Sequence, residues 1–122
     1  MRCLKVVALL ALLLVGAPAA LARSNYAPGT LDRYFALDWS VVPGPRGPVV
    51  EGFVYNRFGH FADRMRLSIE HLDAAGNVVG SSTTWVLGGV PPNNRAWFST
   101  PVPAAAAYRV EILSFDWVGR GQ

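Results

Sequence analysis

From residue 34 onward the apolar residues of this chain recur at every second position, in short runs. No stretch of ten or more residues after the first 22 carries helical spacing. Met65, Leu67 and Ile69 alternate with Arg64, Arg66, Ser68 and Glu70. Between Tyr34 and Val42, Phe35, Leu37, Trp39 and Val41 share one face, and Asp38 and Ser40 take the other. A period of two places successive side chains on opposite sides of an extended chain, so one side is buried and the other meets water. Such a chain buries its apolar residues by stacking sheets.

Turn signals separate the runs. Pro43-Gly44-Pro45-Arg46-Gly47-Pro48 reads as a turn, because proline donates no ladder hydrogen bond. Val49 to Asn56 is a strand apolar on both faces, with Val50, Gly52 and Val54 on one and Val49, Phe53 and Tyr55 on the other. Asn56 to Asp63 reads as a loop. Asp73 to Asn77 reads as a hairpin turn and Val78 to Leu87 as the return strand. Gly88 to Asn94 is a connection, and Arg95 to Val102 a short strand carrying Trp97 and Phe98. Pro103 and the alanines 104–107 form a turn into the last strand. There Tyr108, Val110 and Ile112 share one face and Leu113, Phe115 and Trp117 the other. That switch near Ile112 calls for a bulge or a strong twist. Tyr108 is either a core aromatic or a tyrosine corner, whose hydroxyl ties back to upstream main chain. Six or more strands in the hundred residues after Ala22 indicate an antiparallel sandwich or barrel.

The N-terminus follows a different rule. Arg2 and Lys5 precede an unbroken apolar run, Val6 to Val15. Gly16 and Pro18 then break the helix, and Ala20 and Ala22 supply small residues before a cleavage point. This is the three-part secretory signal, with cleavage expected after Ala22. An uncleaved anchor is the rival reading, but Val6 to Ala22 is short for a membrane span. Cys3 precedes the apolar run, which does not suit lipid attachment. Removing Arg2 and Lys5 leaves nine arginines against eight acids, so the formal charge of +3 falls to +1. No basic face for nucleic acid is implied. Without Cys3 the exported chain has no cysteine and must rest on its apolar core alone.

Candidates for chemistry are sparse. His60 and His71 fall short of the three or four ligands a metal site wants. His71 follows Ile69 in phase and reads as a hydrogen-bonded histidine at a strand end. Ser81, Ser82 and Ser99 lack the strand-turn-helix setting of a nucleophile elbow. Gly88-Gly89 opens no helix and reads as a turn, not a phosphate loop.

Three stretches suggest a family. Val50-Glu51-Gly52-Phe53-Val54-Tyr55-Asn56 is similar to the V-x-G-x-V-x-N strand of the FxLYD-type immunoglobulin-like domains of bacterial exported proteins. Leu67 to Asp73 with Gly76-Asn77-Val78-Val79 resembles that family's hairpin, and Phe98 with Tyr108-Arg109-Val110 its closing strands. The literal F-x-L-Y-D string is absent, and Leu72-Asp73 stands where the family has Tyr-Asp. The resemblance implies an immunoglobulin-like sandwich acting as an accessory or binding module, with no catalytic residues to carry over.

The aromatics carry the functional expectation. If Val50, Gly52 and Val54 point inward, Phe53 and Tyr55 point outward; if Phe98 points inward, so does Trp97 point outward. Such rings hold a protein partner or stack on sugars, unless a terminal segment or a second copy covers them. The expected chain is thus all-β: an antiparallel immunoglobulin-like sandwich of six or seven strands over residues 33–119, after a signal peptide (1–22) and a lead segment (23–32). Its expected role is non-catalytic, in protein–protein interaction or envelope assembly, with Phe53, Tyr55 and Trp97 as partner-binding residues. The partner would be another envelope or secreted protein, or a second copy. A carbohydrate-binding domain is the alternative. No cofactor, metal, nucleic acid or membrane span after cleavage is expected, and the location is periplasmic or extracellular. N-terminal sequencing of the exported protein should begin at Arg23; a mature chain that still starts at Met1 would refute the cleavage.

Overall fold

The computed structural model describes residues 31–119. The expected signal peptide, Cys3 and all of the lead segment before Leu31 lie outside the described residues. A short 3-10 turn, Leu31–Arg33, leads into six strands: β1 (Phe35–Gly44), β2 (Gly47–Asn56), β3 (Phe61–Leu72), β4 (Val78–Val86), β5 (Asn94–Pro101) and β6 (Ala107–Val118). They form two antiparallel sheets, β1-β2-β5 and β4-β3-β6. The chain is a β-sandwich. Two hairpins, β1-β2 and β3-β4, and three crossings between the sheets connect the six strands. Among the described residues no helix is long and apolar enough to cross a membrane.

The alternating residues fill the space between the sheets. Phe35, Val50, Val54 and Phe98 come from one side, and Met65, Leu67, Ile69, Val86, Val110 and Ile112 from the other, with Val90 and Val102 from the connections. Each such side chain contributes roughly 1.5–3 kcal/mol by leaving water. Gly52 stands directly opposite Trp39 in the β1-β2 ladder. A Cβ there would lie 2.6 Å from the Trp39 Cα and closer still to the Asp38 carbonyl, so only glycine lets the two strands meet at this point. At one end a ring cluster closes the sandwich: Phe35 stacks on Trp117 at 5.5 Å and meets Phe115 edge-on at 5.0 Å, and Tyr34 and Phe58 pack against Trp117.

The switch of face in the last strand is a bulge. Arg66 pairs with Ser114 and Leu67 with Ile112, leaving Leu113 as the extra residue. Tyr108, at the start of β6, donates its hydroxyl to the Pro103 carbonyl, so the tyrosine corner is present.

Two boundaries differ from the sequence reading. The 56–63 loop is shorter, because Phe61, Ala62 and Asp63 already belong to β3 and pair with Val118, Trp117 and Asp116. A second irregularity hides them. Arg64 takes a positive φ of 47°, so the buried residues Ala62 and Met65 are three positions apart instead of two. The first ladder also runs through Pro43 and Pro48, which face each other one step from the Gly44–Gly47 pair. Pairs in an antiparallel ladder alternate between bonded and non-bonded, and the pair next to the one closing a two-residue turn needs no N–H across the strands.

Two side chains organise the connections. Asn56 is 1% exposed. Its Nδ2 donates to the His60 carbonyl at 2.8 Å and the Val90 carbonyl at 3.2 Å, and its Oδ1 accepts from the Phe58 N–H at 2.9 Å. At the β3-β4 turn, Asp73 Oδ1 accepts from the N–H groups of Asn77 at 2.9 Å and Ala75 at 3.0 Å. Those backbone donors, Asn77 first, hold the Asp73 carboxylate below its ordinary pKa.

Asn56→Ala strands buried carbonyls and should lower stability by about 2–4 kcal/mol in urea unfolding; a loss within experimental error would mean water replaces the amide. Asp73 has a folded pKa below its unfolded one, so its contribution is present above about pH 4 and fades as pH falls through the folded value. The urea midpoint of the natural chain should therefore fall toward that of Asp73→Asn between about pH 6 and pH 3, and a gap that stays constant over that range argues against this role.

Candidate functional site

The β1-β2-β5 sheet turns one face to the core and the other outward. The register sets the outer rows: Ala36, Tyr55 and Arg95 lie side by side, then Asp38, Phe53 and Trp97, then Ser40, Glu51 and Ser99. Phe53 and Tyr55 are outward because Val50, Gly52 and Val54 are inward. Trp97 is outward because Phe98 is buried. The three residues singled out in the sequence are thus brought together on two adjacent strands.

Their rings touch. Phe53 meets Trp97 edge-on at 5.0 Å and 68°, and Tyr55 lies 6.2 Å from Phe53 at a tilt of 51°. Trp97 remains 49% exposed. Arg95, which sequence reasoning did not select, lays its guanidinium over the Phe53 ring at 4.1 Å from the centroid. An arginine over an aromatic face is attracted by the ring quadrupole and keeps its outer edge free to donate. Its position could have been found from the cross-strand register, which is not visible in a single strand's pattern.

Beyond Tyr55 and Arg95 the sheet ends in an open depression of about 470 Å³ lined by Tyr55, Asn56, Arg57, Asn93, Asn94 and Arg95. Arg57 is held there by donating to the main-chain carbonyls of Asp32 and Phe35. The Asn93 N–H donates to the Phe58 carbonyl at 3.1 Å, and Asn94 Oδ1 accepts from the Arg95 N–H at 2.8 Å.

The opposite outer face, on β4-β3-β6, is built differently. Ser81 and Thr83 are exposed on it, and two of its arginines are paired: Arg109 Nε meets Glu70 at 2.7 Å, and at the bulged end Arg64 meets Asp116 at 2.7 Å. Its one large exposed ring, Trp85, has Arg66 over it at 5.2 Å.

The chain matches no family model, no curated protein and no solved structure.

The other sequence candidates lie away from this face. His71 is buried, with Nε2 2.7 Å from Ser82 Oγ, and its ring meets Tyr108 edge-on at 6.0 Å. The Nδ1 side faces the main chain at Gly80, where a Cβ would come within 3.0 Å. His60 packs 5.1 Å from the Phe58 ring and 6.5 Å from Trp117. Among the described residues no group of three or more His, Cys, Asp and Glu is placed to hold a metal ion. Gly88 and Gly89 form a turn with φ of 84° and 73°, and Gly89 sits against the Phe61 ring and the Ala62 carbonyl.

Proposed function

We propose that this chain is an exported, non-catalytic β-sandwich module that binds another protein through the outer face of the β1-β2-β5 sheet. The observation that carries the reading is the convergence of Phe53, Tyr55 and Trp97, with Arg95 over the Phe53 ring. Tryptophan, tyrosine and arginine are the side chains that most often dominate the energy of protein interfaces, and they do so in clusters. The apolar N-terminal run with its small residues before Arg23 supports export to the periplasm or beyond. The likeness of Val50 to Asn56 and of Tyr108 to Val110 to FxLYD-type modules supports an accessory role. A sugar platform would want ring faces open to the ligand. Here the rings stand at 68° and 51° to one another and Arg95 covers one face of Phe53, which favours a protein over a glycan.

A photo-crosslinking residue at Tyr55 should give a discrete adduct in the cell envelope, whereas the same residue at Thr83 on the opposite face should give none. Trp97→Ala should cut the Tyr55 adduct at least about tenfold, the loss expected of a hot-spot ring, while melting close to the natural chain. Equal adducts from both faces, or an adduct indifferent to Trp97, would remove this reading; an adduct of twice the chain's mass would make the partner a second copy.

A further inference from the structure

We infer that the depression beside the aromatic rows is a carboxylate site, and that the partner's contacting segment is acidic with an apolar residue next to the acid. This rests on the protein-binding reading above and adds the chemistry of the partner.

Arg64 and Arg109 are each paired with a carboxylate at 2.7 Å. Arg57 and Arg95 are both exposed at the rim of the depression, and among the described residues neither has a carboxylate within ion-pair distance. Two guanidinium groups from different elements therefore face one opening with their charge unmatched.

Both are held before any ligand arrives. Arg57 is anchored by the Asp32 and Phe35 carbonyls, and Arg95 lies on Phe53. Anchoring lowers the side-chain entropy lost on binding, and a planar guanidinium matches a carboxylate with two parallel hydrogen bonds.

The rest of the lining offers donors. Asn94 commits Oδ1 to the Arg95 N–H, which leaves its Nδ2 end as a donor. The Asn56 amide is spent on the crossover and lends rigidity only. The site contains no acid. An opening lined by cations and donors fits an oxyanion. Its continuity with Tyr55, Phe53 and Trp97 selects a carboxylate carried on a peptide that also presents apolar side chains.

Fluorescence anisotropy with a short labelled peptide of alternating glutamate and tyrosine tests the site on the mature protein. Binding should be saturable. It should fall at least about tenfold when glutamine replaces glutamate in the peptide and again on raising salt from about 0.05 to 0.5 M. Asn93→Asp and Asn94→Asp place a negative charge in the opening and are compatible with the fold, since aspartate tolerates the φ of 53° at Asn93. Each should weaken the peptide about tenfold, a charge-pair effect; Arg46→Glu, at the distant β1-β2 turn, should leave it unchanged. Equal binding of the glutamine peptide, indifference to both Asn→Asp variants, or tighter binding of an oligoglucuronate than of the peptide would overturn the inference. The two readings separate cleanly. An envelope adduct at Tyr55 that is lost in Trp97→Ala but survives in Asn93→Asp and Asn94→Asp keeps the face and removes the carboxylate site. Loss of the Trp97 dependence removes the face itself.

Discussion

The buried amide of Asn56 is the point on which this sandwich turns. It ends β2, the central strand of one sheet, and bonds to the chain entering β3, the central strand of the other. Its second donor reaches Val90, in the connection that returns the chain from β4 to β5. One side chain thus ties together two of the three crossings between the layers. In a domain with no cysteine after Cys3, these bonds do by hydrogen bonding what a staple does elsewhere. They work beside an apolar core whose contribution is spread over many small terms. The residues flanking this amide, Tyr55 and Arg57, are the ones that reach the outer surface, so the same turn that joins the sheets also positions the proposed binding face.

The two outer faces of the sandwich group their side chains differently. On β4-β3-β6 the exposed hydroxyls of Ser81 and Thr83 alternate along β4 with Val79 and Trp85, and two arginines are paired with carboxylates. On β1-β2-β5 three rings lie together and two guanidinium groups have no acid beside them among the described residues. Isolated exposed apolar residues need no explanation, whereas a contiguous ring cluster beside unmatched cations does. That asymmetry, more than any single residue, directs the functional proposal to one side of the molecule.

Much of this was legible in the chain. Alternation, composition and turn signals located the six strands, and the pattern of Val49 to Asn56 put Phe53 and Tyr55 outward on the condition that Val50, Gly52 and Val54 face in. The change of phase at Ile112 announced the bulge at Leu113, and Tyr108 was open to reading as the corner it forms. The start of β3 was not legible, because Arg64 adopts a left-handed conformation that spaces Ala62 and Met65 by three. A period-two reading sees no strand there. The prolines at 43 and 48 likewise suggested a longer turn, since the rule against proline in ladders takes no account of which pairs bond. Arg95 and Arg57 escaped notice for a different reason. Their significance depends on which residue lies across the ladder and which carbonyls lie within reach, and neither is a local property of sequence.

The bulges have a consequence for how the protein behaves in a crowd. Among the described residues β6 has a neighbour on one side only, and a bare margin of twelve residues would ordinarily invite other chains to stack against it. The extra residue at Leu113, the kink at Arg64 and the charged Arg64–Asp116 pair on that margin keep it from being straight, flat or neutral. A long cooperative seam with a stray copy is thereby denied its template. The irregularity that blurs the strand pattern in the sequence also guards the folded domain against fibrous association.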